Sequence, residues 1–231
     1  MIALALALLP CFFLMYKIYG ADKIEKEPAD LLGKIFLRGV ISAVPAIILE
    51  TIGTYILAYI GLEETTILYQ VLMNFIVIAV SEEAVKRWAM KGPTWNNPEF
   101  NYMFDGVVYG VMASLGFAAI ENVMYVMQFG VQVAFLRAVL SIPLHCICGI
   151  FMGYYYGRAK YASAHGDRNW MAESMRMSLL VPVLLHGFYE FCASLESETL
   201  SIIFLVFVIV LDIIAIKKVG RMSREDVPID Y

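Results

Sequence analysis

Seven stretches of mostly apolar residues dominate this chain, and about 20 such residues in a helix are what it takes to cross the hydrocarbon core of a bilayer. They fall at residues 2–19, 35–60, 67–86, 106–127, 133–157, 177–195 and 200–216. In water, runs of this kind would expose large apolar patches and the chain would aggregate. Composition agrees. Of 231 residues, 61% are hydrophobic and 16% charged, with a mean hydropathy of +0.72, whereas an ordinary soluble domain is about 25% charged. A soluble enzyme, a disordered chain and a nucleic-acid binder are therefore excluded. The expected fold is all-α, a multi-pass transmembrane bundle of about seven spans forming one domain over 1–231, without tandem repeats or a soluble domain. The second run is long enough to tilt or to kink at Pro45. The first lacks the basic start of a signal peptide, since its lysine, Lys17, follows the apolar run.

The basic residues orient such a bundle. Lys17, Lys23, Lys26, Lys34 and Arg38 surround the first connection; Lys86, Arg87 and Lys91 follow the third run; Arg158, Lys160, Arg168 and Arg176 surround the fifth connection; Lys217, Lys218, Arg221 and Arg224 follow the last run. The intervening connections carry none, so 16 of the 17 basic residues fall on one side and Arg137 is the exception. By the positive-inside rule the N-terminus is expected outside and the C-terminus in the cytoplasm. The four cysteines, Cys11, Cys146, Cys148 and Cys192, all lie within spans. That excludes a secreted disulfide framework. Cys146 and Cys148 flank His145 and are a weak alternative as metal ligands, because a free cysteine is a common small core residue.

A charge near the bilayer centre costs about 2.5–3.5 kcal/mol on insertion scales. This chain nevertheless places Glu50, Glu82, Glu83, Glu121, Arg137, Glu190 and Asp212 in or at the ends of spans, together with His145 and His186. Asp212 can reach the interface near Lys217, and Glu50 can sit protonated or paired. The others cluster on four consecutive spans. Glu82 and Glu83 end the third, where Lys86, one turn on, can pair with either. Two carboxyls in poor solvent do not both ionise easily, which suits one of them to acid–base work at neutral pH. The plain structural alternative is an interfacial charge cluster, and for Glu121 an ion pair with Arg137. His145 follows Pro143, and His186 shares a helix face with Glu190 one turn after Pro182; each proline loosens the helix near its histidine. Small residues recur at Gly106, Gly110, Ser114 and Ala118, and at Gly149, Gly153 and Gly157, a pattern that permits close helix contact.

The chemistry these groups can share is water activation. Two histidines and a carboxylate suit a catalytic zinc with an open position, a further carboxylate taking the proton of the bound water. A metal-free version has Glu82 and one histidine orient the water while the other histidine stabilises the oxyanion. Glu82 counts toward the basic third of the membrane and Glu121 toward the opposite third. The shared cavity is expected to open toward the basic, cytoplasmic half.

These residues resemble a known family. Glu82-Glu83-Ala84-Val85-Lys86 looks like the EExxK motif of the PrsW family of bacterial membrane proteases. Phe104-Asp105-Gly106, Tyr109-Gly110, Gly116-Phe117-Ala118 and Glu121-Asn122 resemble its next block. Arg137 to His145 with Gly149, Met152 and Gly153 resembles the third block, and His186-Gly187 the last. The likeness covers about residues 80–190. It implies an intramembrane metallopeptidase, distantly similar to the type II CAAX prenyl endopeptidases, with Glu121 where that superfamily has histidine and Glu190 where it has Asn or Asp. With the reading of the residues it gives the catalytic set Glu82, Glu83, His145, His186 and Glu121: Glu82 or Glu83 as base, His145 and His186 as ligands of Zn2+ or oxyanion donors, and Glu121 as a support or third ligand. It also implies a bacterial cytoplasmic-membrane location and a membrane-anchored protein substrate such as an anti-sigma factor, cut at a site-1 type step in the stress response. The competing function is a proton-coupled carrier using the same carboxylates as a relay; the inverted repeats common in carriers are not detectable. A purely structural membrane partner would leave the buried histidines and carboxylates unexplained.

Overall fold

The computed structural model describes residues 2–195 and 198–229; Glu196 and Ser197, in the connection before the last helix, lie outside the described residues. The described chain is helical: α1 Ile2–Ala21, α2 Ala29–Tyr59, α3 Ile67–Val71, a π segment Leu72–Val80, α4 Ser81–Thr94, α5 Asp105–Phe129, α6 Val131–Val139, α7 Ser141–Ala164, α8 Arg168–Ser194 and α9 Glu198–Arg224. Three of these pieces, α3, the π segment and α4, run on as one span, and α6 and α7 make another. Seven helices are thus long and apolar enough to cross a membrane.

The expected spans are all present, and most of their helices are longer than the apolar runs. The third continues to Thr94 rather than stopping near Lys86, and the sixth starts at Arg168 rather than near Met177. Hydropathy registers the thickness of the hydrocarbon, whereas a helix continues into the headgroup region as long as its backbone bonds close. Between the apolar runs, about half of 86–102 and most of 158–176 are therefore helix.

Helix α5 is the axis of the bundle. Every residue of 105–119 is buried. The two small-residue stripes meet each other here: a Cβ on Gly153 would overlap the carbonyl oxygen of Gly106, and one on Gly149 would lie 2.8 Å from that of Gly110. On the other side of α5, a Cβ on Gly116 would overlap the Phe36 carbonyl of α2, and one on Gly39 the Ala113 carbonyl of α5. Lipid chains are as apolar as leucine, so close backbone packing rather than hydrophobic expulsion holds these helices together. The outer helices remain apolar on their far faces, as with Leu37, Ile41, Val44, Ile48 and Tyr55 on α2 and Ile202, Leu205, Ile209 and Ile213 on α9, all exposed.

One end of the bundle gathers the basic residues and is tied by polar contacts. Met103 N–H donates to Val227 O at 3.1 Å, Ile229 N–H to Asn101 O at 2.7 Å, and Lys160 Nζ to Trp95 O at 3.0 Å. Glu27, just before α2, is buried there and accepts a hydrogen bond from the Tyr109 hydroxyl. It also hydrogen-bonds Asp105, whose Oδ2 accepts the Asn101 and Tyr102 N–H groups at 3.0 and 2.7 Å. Asp212, with Lys17, lines an apolar cavity of about 320 Å³ between α1, α7 and α9.

Candidate active site

The π segment comes directly before Glu82 and Glu83. Each π turn takes an extra residue, so everything after it is rotated relative to a plain α-helix. Asn74 supports the wide turn. Its side-chain Nδ2 donates to the Gln70 carbonyl at 2.8 Å, the bond that an α-helix would make from the Asn74 backbone, and also to Ser194 Oγ of α8 at 3.0 Å. The π segment is pressed onto α8 where His186 ends: a Cβ on Gly187 would lie 2.5 Å from the Phe75 ring. The break between α6 and α7 has a simple cause. Pro143 lacks the N–H that would reach back to the carbonyl of Val139, so the helix stops at Leu140 and restarts, aiming His145 inward.

The result is a buried polar cluster. One ligand-type atom from each of Glu82, Glu83, His145 and His186 lies within 4.8 Å of all the others, and the two imidazole centroids are 5.3 Å apart, edge to face. At the centre is Lys86, fully buried, whose Nζ donates to Glu82 Oε2 at 2.8 Å, Glu83 Oε1 at 2.8 Å and His145 Nδ1 at 3.0 Å. All three ammonium hydrogens are used. Because an ammonium only donates, His145 Nδ1 accepts and its Nε2–H donates to Glu121 Oε2, 2.9 Å away. His186 Nδ1–H donates to Glu83 Oε1 at 2.8 Å. Its Nε2 lies 3.9 Å from Glu82 Oε2 and 3.7 Å from Glu190 Oε1, beyond direct hydrogen-bonding distance. The Phe117 ring covers Lys86 with its centroid 4.3 Å from Nζ, a cation–π contact.

Four of the five expected site residues therefore converge. The fifth, Glu121, lies behind His145 and outside the four-residue group. It joins His145 to Arg137, whose Nη2 is 2.8 Å from Glu121 Oε2 and whose Nε donates to Asn122 Oδ1 at 3.0 Å. Glu121, expected as a third ligand, a support of the site or an ion-pair partner, makes the ion pair with Arg137 and also reaches His145 Nε2. Arg137, the exception to the charge asymmetry, is the counter-ion of this half-buried carboxylate. Lys86 and His145 together bridge the difference in depth between Glu82 and Glu121, Lys86 Nζ holding Glu82 and His145 Nδ1, and His145 Nε2 reaching Glu121. Cys146 and Cys148 stay out of the cluster, with the Cys148 thiol 3.7 Å from the Pro182 carbonyl and Cys146 in the wall of the apolar cavity beside α1. All four cysteines are free and buried.

A cavity of about 200 Å³ leads to Glu82, lined by Glu50, Phe117, Glu121, Tyr125 and Glu190 among others. Counted at 1.5 Å per residue from the basic ends of their helices, Glu82 lies about 18 Å in and Glu190 about 33 Å in. The lining residues thus lie in the half of the bundle away from the basic face, whereas the cavity was expected toward the basic half. The reason is the extra helical turns on the basic side, which add about 12 Å between the end of the third apolar run and the basic end of its helix.

The donor set fits a divalent cation. Two imidazoles and two carboxylates converge, a carboxylate backs His145 as is usual for metal-bound histidines, and Glu83 Oε2 is buried without a hydrogen-bond partner among the described residues. Lys86 already supplies positive charge to the same carboxylates, so a bound cation would compete with it.

Residues 27–215 match the family described as "PrsW family intramembrane metalloprotease". The chain belongs to the PrsW family. It is similar to "Protease PrsW" of Halalkalibacterium halodurans, 34% identical over 225 residues covering 97% of this chain and 96% of that protein. "Protease PrsW" of Clostridioides difficile is 33% identical over 220 residues, 94% and 89% of the two chains, and that of Bacillus subtilis is 30% identical over 182 residues, 79% and 78%. No solved structure matches the chain. It is therefore an intramembrane protease and a multi-pass protein of the cell membrane, and the carrier is not favoured. Sequence reasoning did not anticipate that Lys86 would be central, or that Phe117 and Asn122 would support the site. The EExxK spacing was the available signal for Lys86.

Proposed function

We propose that the cluster of Glu82, Glu83, His145 and His186 is the proteolytic centre and that it cuts a membrane-anchored protein from the side opposite the basic face. The observation that carries this is the convergence of four buried ligand-type atoms within 4.8 Å at the end of an open cavity. By the positive-inside rule the mouth faces outward, which suits a site-1 type cleavage of an anti-sigma factor near the outer surface.

Glu82 is the general base. It belongs both to the cluster and to the cavity wall, so a water held there is within its reach, and its carboxylate is the one a substrate can approach. Glu83, fully buried, positions Lys86 and His186 through Oε1. Lys86 holds the two carboxylates apart and locks the His145 tautomer. Glu121, anchored by Arg137, fixes the orientation of His145. In the metal-free version, with His186 protonated on both nitrogens, its Nε2–H faces Glu82 and Glu190 and can donate to the developing oxyanion or return a proton to the leaving amine. Zn2+ is the proposed metal, with His145, His186 and the Glu82 or Glu83 carboxylate to hold it. The chemistry such an ion supplies when bound is a lowered pKa for a water and polarisation of the scissile carbonyl.

Purified protein in detergent or vesicles, given a single-span substrate with an anti-sigma-type juxtamembrane segment, tests this. Cleavage should stop on adding a chelator and return with Zn2+, and His186→Ala should abolish it and lower bound metal. Chelator-resistant cleavage would remove the metal and leave the glutamate mechanism. A substrate cut only on the basic side of the membrane would contradict the proposed direction.

A further inference from the structure

A second groove lies on the other side of α4, between it and α8. It encloses about 490 Å³ and is walled by Val80, Leu179, Leu180 and Val183 together with two arginines, Arg87 and Arg176. We propose that this groove binds one anionic phospholipid from the leaflet on the basic face, its phosphate held by Arg87 and Arg176 and an acyl chain laid along the apolar wall.

Charge complementarity carries the proposal. Neither arginine forms an ion pair among the described residues. Arg87 uses Nη1 on the protein itself, donating to the Met175 carbonyl at 2.8 Å and approaching Ser178 Oγ at 3.5 Å. That contact fixes the guanidinium on α8, while Nε and Nη2 make no hydrogen bond among the described residues and remain available. Arg176 is exposed. A guanidinium that is fixed, unpaired and bordered by apolar side chains is arranged to receive an anion in bidentate fashion.

Depth fits the same ligand. Arg87 immediately follows the third apolar run, 67–86, and Arg176 immediately precedes the sixth, 177–195. Both therefore mark the hydrocarbon boundary, where a phosphate sits. Val80 and Val183 lie about 10 Å further into the membrane at 1.5 Å per residue, at acyl-chain depth, and Leu180 presents an exposed face there. Basic pockets between transmembrane helices are a common seat for anionic headgroups. The site adjoins the catalytic elements, since Arg87 follows Lys86 and Val183 is one turn before His186. The binding claim does not depend on the protease mechanism.

The test is native mass spectrometry of the full chain released from detergent containing equal amounts of phosphatidylglycerol and phosphatidylcholine. One phosphatidylglycerol should be retained per chain in preference to phosphatidylcholine. Arg176→Gln should lower that retention about fivefold, the effect of one basic residue at an anionic surface, and Arg176→Lys should keep most of it. Leu180→Trp fills the groove without changing charge and should also displace the lipid. Both positions are exposed, so circular dichroism should report an unchanged fold. Equal retention of the two lipids, or phosphatidylglycerol retention unchanged in both Arg176→Gln and Leu180→Trp, would overturn the proposal. If lipid retention is unaffected while Arg176→Glu raises KM for a membrane-anchored substrate, the groove takes a protein segment and the lipid assignment is wrong.

Discussion

Lys86 shows most clearly what single residues contribute. Its ammonium is fully buried and stands between two carboxylates and an imidazole. Removing one partner from a buried ion pair leaves an uncompensated charge, at a cost of about 3–5 kcal/mol. Lys86→Met should therefore destabilise the protein by about that much, read as a large fall in melting temperature. A fall no larger than that of a surface lysine variant would show that the carboxylates are not charged together. Glu27 gives a pH prediction. Burial pushes its carboxyl up from 4.5 to about 7, outweighing the hydrogen bonds from Tyr109 and Asp105. The folded protein therefore binds this proton more tightly than the unfolded chain. The contribution to stability is complete below about pH 4.5 and falls as pH rises through about 7. Thermal unfolding should occur at lower temperature at pH 8 than at pH 5, and Glu27→Gln should reduce that difference. An unaltered difference would locate the titration elsewhere.

Among the elements, the π segment and the restart at Ser141 do most to aim the site. Deleting the outward-facing Ile76 removes one residue from the wide turn and should rotate Glu82 and Glu83 by about 100° relative to α3, or force the turn to give up its Asn74 support. Cleavage should fall at least about 100-fold while helix content by circular dichroism stays near normal; Ile76→Leu should be close to wild type. The seam between α5 and α7 is less tolerant. Gly153→Val places a side chain against the Gly106 backbone, and such overpacking costs about 1–3 kcal/mol or more where backbone cannot yield, again visible in thermal unfolding. Both stripes were legible in the sequence as small residues four apart, and the structure adds that they face each other. The π segment was not legible, because 72–80 reads as an ordinary apolar run and hydropathy is blind to the number of residues per turn. The Leu140 break was half legible: Pro143 announced a weakened helix near His145, but not which carbonyl would be released.

For the whole molecule, hydropathy and basic-residue placement conveyed the number of spans and their alternation, since both follow from the bilayer's thickness and surface charge. Depth was lost where helices outran their apolar runs, so the cavity's lining came out farther from the basic ends of the helices than the runs suggested. Long-range convergence was legible only in part: the cost of burying Glu82, Glu83, His145 and His186 separately argued that they meet, but nothing in a linear pattern revealed Lys86 at their centre or Glu121 behind His145. Topology can be tested with single cysteines, since the native four are buried. In intact cells a membrane-impermeant maleimide should label Glu64→Cys and spare Asn169→Cys until the membrane is opened; the reverse pattern would invert the assigned orientation.

The most direct test of the central claim is cleavage of a single-span substrate by the purified Glu82→Gln, Glu83→Gln double variant. Gln keeps the shape of the side chain and removes the proton acceptor. Activity should fall by at least the roughly 10²–10⁴-fold attributed to general acid–base catalysis, with the helical fold retained. Wild-type activity in the double variant would contradict a proteolytic centre built on Glu82, Glu83, His145 and His186.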